Sequence, residues 1–333
     1  MSVLAGANIL VTGGTGSFGH AFVAMTLAAH NPRRLVIYSR DEMKQAEMAR
    51  RFADDPRVRF FIGDVRDRDR LNRALDGVEY VVHAAALKIV PAAEYNPFEY
   101  VKTNIIGAMN VIDACIDKQV KRVIALSTDK ASSPVNLYGG TKLVADKLFV
   151  SGNAYAGGHN TRFSVVRYGN VMGSRGSVIP YFLSLDGKGR LPITDPAMTR
   201  FMVTVEVGIE LVWHAFDDME GGEIYVTKAP SMRLADIASA VAPAAGQQIV
   251  GVRPGEKLHE QLIGADDALH TYEYERCYKI LPAIDAAGND GRVKGGRKVD
   301  QGFAYTSDRN DEWMSIEALR DWIAVNRAAL ITP

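Results

Sequence analysis

The chain has 333 residues, with 39 lysines and arginines against 39 aspartates and glutamates, 47% hydrophobic and 23% charged residues. That length allows one large or two medium domains with a sizeable core, and cancelling charges leave no net field for a nucleic-acid backbone or an anionic membrane. Two cysteines, Cys115 and Cys277, make neither a disulfide framework nor a CxxC metal site, no apolar run reaches the ~18–20 residues of a membrane span, and no signal peptide is indicated, so the expectation is a cytoplasmic enzyme.

In chain order, Ile9–Thr12, Leu35–Tyr38, Val58–Ile62, Tyr80–Ala84 and Val123–Ser127 read as buried strands rich in Val and Ile. Helical segments fall between and after them: Ser17–His30, Asp41–Phe52, Arg68–Leu75, Pro97–Asp117 and Leu137–Gly152. This alternation predicts an α/β doubly wound parallel sheet. Arg162–Arg167 is a further strand, after which the rhythm changes. Gly173–Pro196 shows little period, Phe201–Phe216 reads as a helix, Glu223–Thr227 as a strand and Leu234–Val241 as a short helix. Asp285–Val299 reads as a Gly- and charge-rich loop, and Ser315–Ala329 as a closing amphipathic helix. The division expected is a nucleotide-binding domain over 1–172, completed by about 201–228, with 173–200 and 229–333 as a smaller, discontinuous substrate-binding domain.

The first strand runs into Gly13–Gly14–Thr15–Gly16–Ser17–Phe18–Gly19. Glycines there permit a tight turn and let backbone N–H groups approach a pyrophosphate at a helix N-terminus. A structural glycine turn is the bland alternative. Position on the first strand of a βαβ series favours a dinucleotide site, with Gly13, Thr15, Gly16, Ser17, Phe18 and Gly19 as its residues. The second strand ends in Ser39–Arg40–Asp41, with Lys44 just beyond. An acidic residue at the strand tip favours NAD, and an arginine accepts the 2′-phosphate of NADP. Ser39 and Arg40 therefore favour NADP, while Asp41 could equally cap the helix that follows. Asp64 and Val65 follow the third strand, where the carboxylate can meet the adenine amino group.

Ser127–Thr128–Asp129–Lys130 ends the fifth strand, and Tyr138–Gly139–Gly140–Thr141–Lys142 opens the next helix. Tyr138 and Lys142, at i and i+4, share a helix face, where an ammonium can depress a phenol's pKa and make it a usable base. YxxxK alone is common by chance. Behind a glycine loop and a strand-end Thr it is far more specific.

The order TGGTGSFG, STDKA and YGGTK resembles the extended short-chain dehydrogenase/reductase superfamily. His83–Lys88, Pro91–Pro97, Arg167–Val171, Met198–Phe201 and Arg253–Glu260 narrow the resemblance, over about Gly6–Trp322, to the soluble, configuration-inverting UDP-N-acetylglucosamine 4,6-dehydratases. In that family Thr-Asp-Lys stands where other nucleotide-sugar 4,6-dehydratases have Thr-Asp-Glu. The resemblance implies that Tyr138 removes the C4 hydroxyl proton and Thr128 bonds the C4 oxygen. Asp129 then protonates the leaving C6 hydroxyl, and Lys130 takes the C5 proton, provided burial lowers its pKa. Ala84, Ala85 and Ala86 are small enough to pack against nicotinamide and ribose. The resemblance places Lys88 on cofactor or substrate, Asn170 on substrate, and Arg200, Arg253 and Glu256 at the UDP end, where a solvated face is the alternative. His83 reads as a core histidine, His259 and Glu260 stay unassigned, and seven scattered histidines show no metal spacing.

Membrane-anchored relatives that retain configuration carry Met in place of Tyr138. The resemblance therefore implies C5 inversion, UDP-N-acetylglucosamine as substrate and a homo-oligomer, as large as a hexamer. A UDP-sugar 4-epimerase, a retaining dehydratase and a non-catalytic NADP-sensing protein are the competing readings. The epimerase does not need Asp129–Lys130, and the sensor does not need the retained Tyr138 and Lys142.

Overall fold

The computed structural model describes residues 2–187, 189–283 and 290–331. Apolar runs too short for helices form β1 (Asn8–Thr12), β2 (Arg34–Ser39), β3 (Val58–Ile62), β4 (Tyr80–His83), β5 (Arg122–Thr128) and β6 (Arg162–Tyr168). They pair in parallel in the order β3-β2-β1-β4-β5-β6, and Ile224–Thr227 continues the parallel run beside β6. The order reverses between β1 and β4, which opens a crevice at the strands' carboxyl ends.

Alternate residues of each strand serve opposite faces. Leu10 joins Val81, Val123 and Val165 under the helices Gly107–Asp117 and Leu137–Tyr155, with Val111, Cys115 and Phe149 among the covering side chains. Ile9 and Val11 join Ile37, Val82 and Ile124 under Ser17–His30 and Val205–Asp218, covered by Phe22, Ile209 and Phe216. A separate core of Ile179, Phe182, Ile193, Met232, Ile237 and Leu319 lies in the smaller unit.

The two halves are more entangled than the expected division. Cys277–Ile280 pairs antiparallel with Ile224–Thr227, and Thr271–Glu273 and Arg297–Lys298 follow, so strands expected in the substrate-binding part extend the central sheet. Phe201–Phe216 is not one helix. Thr199–Val203 is a strand between Asn170–Val171 and Ser231–Arg233, and the helix starts only at Val205, where the Thr204 hydroxyl accepts from the Val207 N–H. Helical periodicity fails there because Thr199, Phe201, Met202 and Val203 are all buried on a short strand.

Three further elements lacked a periodic signal: the helices Val90–Tyr95 and Val178–Leu185 and the strand Leu191–Ile193. Pro97–Asp117 is helical but interrupted, with Val101–Ile106 in π-helical form. Of the expected loop Asp285–Val299, residues 285–289 lie outside the described residues, and Asp290–Val293 is a short helix. No helix among the described residues is long and apolar enough to cross a membrane.

Candidate active site

The turn after β1 is fixed by backbone crowding. Gly13 has φ +66°, and a Cβ there would lie 2.8 Å from both Cα and N of Ala85. A Cβ on Gly19 would lie 2.1 Å from the Gly14 carbonyl oxygen. The helix Ser17–His30 starts at Gly16 with no side chain capping it, so its first N–H groups and positive dipole end are left for an anion. This cradle suits a dinucleotide pyrophosphate. Ser17 accepts from the Arg175 N–H at 3.3 Å, and Phe18 stacks on Phe22.

At the tip of β2 the Thr15 and Ser39 hydroxyls are 2.8 Å apart. Arg40 is half exposed, with its guanidinium 3.6 Å from Asp64. Asp41 caps the helix Glu42–Arg51 by accepting from the Lys44 N–H, and the Lys44 ammonium lies 3.1 Å from its carboxylate. Asp41 therefore takes the capping alternative. Burial works against the Asp64 carboxylate, yet Arg66 and Arg40 hold its pKa below the usual range. Val65 beside it is buried against Gly107.

Across the crevice, β4 ends in His83–Ala84–Ala85–Ala86. The His83 Nδ1 and Thr12 hydroxyl are 2.8 Å apart, and the same hydroxyl accepts from the Ala85 N–H. Burial, with the Lys142 charge, pushes His83 down to about 3, so it is a neutral core group. Ala84 and Ala85 are half-buried and Ala86 is exposed. Asn104 accepts from the Leu87 N–H at 2.9 Å and donates to the Leu87 carbonyl and the Thr141 hydroxyl, each at 3.0 Å. The sequence reading missed Asn104, which follows Lys102 and Thr103 and carries no motif that sets it apart. The Lys88 ammonium donates to the Arg175 carbonyl, and loss of surrounding water and the Lys130 charge lower its pKa.

Thr128, Asp129 and Lys130 form a short chain after β5. Thr128 Oγ1 donates to Asp129 Oδ1 at 2.7 Å, and Lys130 Nζ donates to the same oxygen at 2.9 Å. Asp129 is fully buried, and its Oδ2 has no partner. Tyr138 joins this group because Asn136 caps the helix Leu137–Tyr155, accepting from the Gly139 N–H at 2.7 Å. Two expectations need correction here. Burial alone would push the Lys130 ammonium down, but Asp129 and Glu260 outweigh it and hold its pKa above the ordinary lysine value. Nor is the Tyr138 phenol depressed by the neighbouring Lys142. Its ammonium donates to the Leu126 carbonyl at 2.7 Å, and burial raises Tyr138 to about 12 against the opposing charge of Lys130.

The remaining residues lie on the smaller unit. Asn170 Oδ1 is buried without a partner. Arg200 Nε is 3.6 Å from Glu260, and its other nitrogens donate to the Thr199, Lys257 and Leu258 carbonyls. Arg253 and Glu256 pair with each other on an exposed turn. That turn docks on the active-site helix, because Asn136 Nδ2 donates to the Gly255 carbonyl at 2.7 Å. A cleft of about 450 Å³ between Glu94, Val135, Asn136, Leu137, Pro254 and Gly255 lies beside it.

Fold and glycine turn place the chain among nucleotide-binding α/β proteins of the extended short-chain dehydrogenase/reductase type. More narrowly, residues 9–282 match the family described as polysaccharide biosynthesis protein, and the chain belongs to it. It is 53% identical to a UDP-N-acetylglucosamine 4,6-dehydratase (inverting) of Campylobacter jejuni, over 95% of this chain and 97% of that one. It is also 38% identical to a UDP-glucose 4-epimerase of Rickettsia canadensis, over 94% of each chain. Among solved structures, Pen from Bacillus thuringiensis superposes with a TM-score of 0.90 at 35% identity, covering 98% of this chain and 99% of that one. A dTDP-glucose 4,6-dehydratase from Streptomyces venezuelae, solved with NAD bound, superposes with a TM-score of 0.67 at 26% identity, covering 75% and 86%.

Proposed function

We propose that the protein is an NADP-dependent hydro-lyase that removes water from UDP-N-acetylglucosamine and inverts C5. Its product is UDP-2-acetamido-2,6-dideoxy-β-L-arabino-hexos-4-ulose, the first step of pseudaminic acid-type sugar synthesis. The observation that carries this reading is the Asp129–Lys130 contact of 2.9 Å beside Tyr138. Epimerisation at C4 needs no such acid/base pair, so the pair favours dehydration over the 4-epimerase reading.

A nicotinamide cofactor, held by the Gly13–Gly19 turn and Arg40, would supply the hydride acceptor for C4 and the hydride donor for C6. Tyr138, a phenol in the resting site because burial raises it to about 12, first releases its own proton to solvent and then, as phenolate, takes the proton of the C4 hydroxyl, with Thr128 bonded to the resulting oxygen. The C4 ketone acidifies C5–H. In the resting site Lys130 and Asp129 are an ion pair, the wrong protonation state for elimination. One proton passing from Lys130 Nζ to Asp129 Oδ1 makes a neutral amine and a carboxylic acid, the two groups elimination requires. Lys130 then takes the C5 proton while the C6–O bond breaks, and Asp129 gives its proton to the departing hydroxide, forming water. That leaves Lys130 cationic and Asp129 anionic, so the pair resets, and C5 takes a proton from solvent on its opposite face, balancing the proton that Tyr138 releases.

Arg40 supports NADP, since its half-exposed guanidinium stands at the tip of β2 where a 2′-phosphate arrives. Asn170, Arg200, Arg253 and Glu256 line the path to the UDP moiety in this reading, with Lys88 between cofactor and sugar. Tyr95 and Phe98, 87% and 77% exposed on helices flanking the site, suit a homo-oligomer, and we place it in the cytoplasm.

Incubation with UDP-N-acetylglucosamine in deuterated water tests the reading. The expected product is lighter by the elements of water, carries one solvent deuterium at C5, and shows the L-arabino coupling pattern early. A product of unchanged mass supports the epimerase, and an initial D-xylo pattern supports retention. Tyr138→Phe should give no reduced cofactor on mixing. Lys130→Met should still oxidise C4 but dehydrate slower by a factor of about 10²–10⁴.

A further inference from the structure

Lys130 has a second buried carboxylate beside it, from a different part of the chain. Glu260 is 2% exposed, and its Oε1 lies 3.3 Å from Lys130 Nζ and 3.6 Å from Arg200 Nε. Its backbone is held on both sides by Ser307: the Glu260 N–H donates to Ser307 Oγ, and the Ser307 N–H donates to the Glu260 carbonyl, each at 2.9 Å. Ser307 Oγ lies 2.7 Å from Thr199 Oγ1, in the strand that carries Arg200. The carboxylate is thus delivered to Lys130 by a rigid corner of the smaller unit.

A salt bridge that only fastened this corner to the sheet would be an expensive clamp, because desolvating both ions costs several kcal/mol each unless every polar atom finds a partner. Here partners are missing. Glu260 Oε2 and Asp129 Oδ2 are both buried and unpaired. Two carboxylates therefore share one ammonium and keep an oxygen each in reserve, an arrangement suited to moving a proton rather than to locking a joint.

Resting on the lyase reading above, we propose that Glu260 is a positioning residue for dehydration. It holds Lys130 Nζ against Asp129 as a cation before the sugar is oxidised, and so sets the pH at which the Lys130–Asp129 pair becomes base and acid. The charged and titratable groups facing Lys130 are Asp129, Tyr138, Glu260, Arg200, Lys257 and Lys88. Of these, Asp129 and Glu260 are the anions that favour the ammonium. Arg200 opposes it and is also bonded to Glu260, so Glu260 sits between the cation it supports and the cation that restrains it.

The test uses the whole enzyme with its cofactor and follows two readouts against pH. One is exchange of the original C5 hydrogen of the sugar, followed as wash-out of deuterium from C5-labelled UDP-N-acetylglucosamine into solvent, which needs Lys130 on the face it attacks and comes after C4 oxidation. The other is the reduced nicotinamide formed on mixing with UDP-N-acetylglucosamine, which reports C4 oxidation. Glu260→Gln removes an opposite charge within 4 Å of the ammonium, so the limb on which exchange rises with pH should move to lower pH by about one to three units. The limb for C4 oxidation should move by less, and Glu260→Asp, which keeps the charge, should lie between wild type and Glu260→Gln. An exchange limb unmoved in both variants overturns the proposal. So does an equal fall of exchange and oxidation at every pH, the mark of a merely structural residue. Wild-type enzyme that oxidises C4 but never releases water would instead refute the lyase reading itself.

Discussion

The adjacent glycines of YGGTK should respond oppositely to alanine. A Cβ on Gly139 would stand 2.3 Å from the Lys130 carbonyl oxygen and 3.0 Å from Pro134 Cβ, whereas a Cβ on Gly140 meets nothing within 4 Å. The first contact is more than ~1 Å short of a comfortable nonbonded separation. It is made with backbone, so no side chain can swing aside. Gly139→Ala must lift the start of helix Leu137–Tyr155 off the turn that carries Asp129 and Lys130. Overpacking of this kind costs roughly 1–3 kcal/mol, offset by about 1 kcal/mol of helix propensity. The catalytic loss should be larger. Displacing Tyr138 from Lys130 by an ångström costs on the order of 10²-fold in rate. Gly140→Ala gains the propensity term without the clash and should be more stable by up to about 1 kcal/mol. Urea unfolding and initial dehydration rates on both variants check this. The reasoning fails if Gly139→Ala keeps wild-type activity, or if Gly140→Ala is the more damaging change.

Arg40→Asp should weaken NADP by about 1.5–3 kcal/mol, the value of a hydrogen bond to a charged group, and leave NAD much less affected. Equal affinity of the wild-type protein for both cofactors, read by titration, would contradict the NADP assignment. His83 makes folding sensitive to acid. Its pKa falls from 6.5 to about 3 on burial, so above about pH 6.5 it is neutral in both states and contributes no pH dependence. Below that the unfolded chain binds a proton that the folded one refuses, and stability should fall by roughly 1.4 kcal/mol per pH unit toward pH 3 from this group. His83→Gln should flatten that part of the denaturation-versus-pH curve, and an unchanged slope would show that other groups control it.

The parallel half of the molecule was legible because each of its elements carries its own signal. Val58–Ile62 and Ser17–His30 have the predicted ends, and Gly13 and Gly19 stand where crowding forbids a side chain. The smaller unit was less legible. Thr199–Val203 merges into a helix by apolar content alone, and only the Thr204 cap separates the two. Of the candidate site residues, Thr128, Asp129, Lys130 and Tyr138 come together as read. What spacing could not supply was the electrostatics. Glu260 lies 130 positions beyond Lys130 in sequence, and it joins Asp129, the nearer and larger influence, in reversing the sign of the pKa shift that burial alone would give. Likewise an i, i+4 spacing puts Lys142 on the same face as Tyr138, but its ammonium donates to the Leu126 carbonyl of β5.

The π-helical stretch Val101–Ile106 ties both ends of the cofactor crevice to one ruler. On one side of the crevice, Asn104 grips Leu87, and the Tyr100 hydroxyl just before the stretch donates to the Ile89 carbonyl at 2.6 Å. On the other, Gly107 touches Val65 and the Asn110 amide donates to the Val65 carbonyl at 3.0 Å. The wider turn supplies the residue that lets both grips fall in phase. Deleting one residue there to restore an ordinary helix would rotate one set of contacts by about 100° relative to the other, and either the loop after β3 or the loop after β4 would come loose. This stretch should therefore accept changes of side chain far more readily than any change of length.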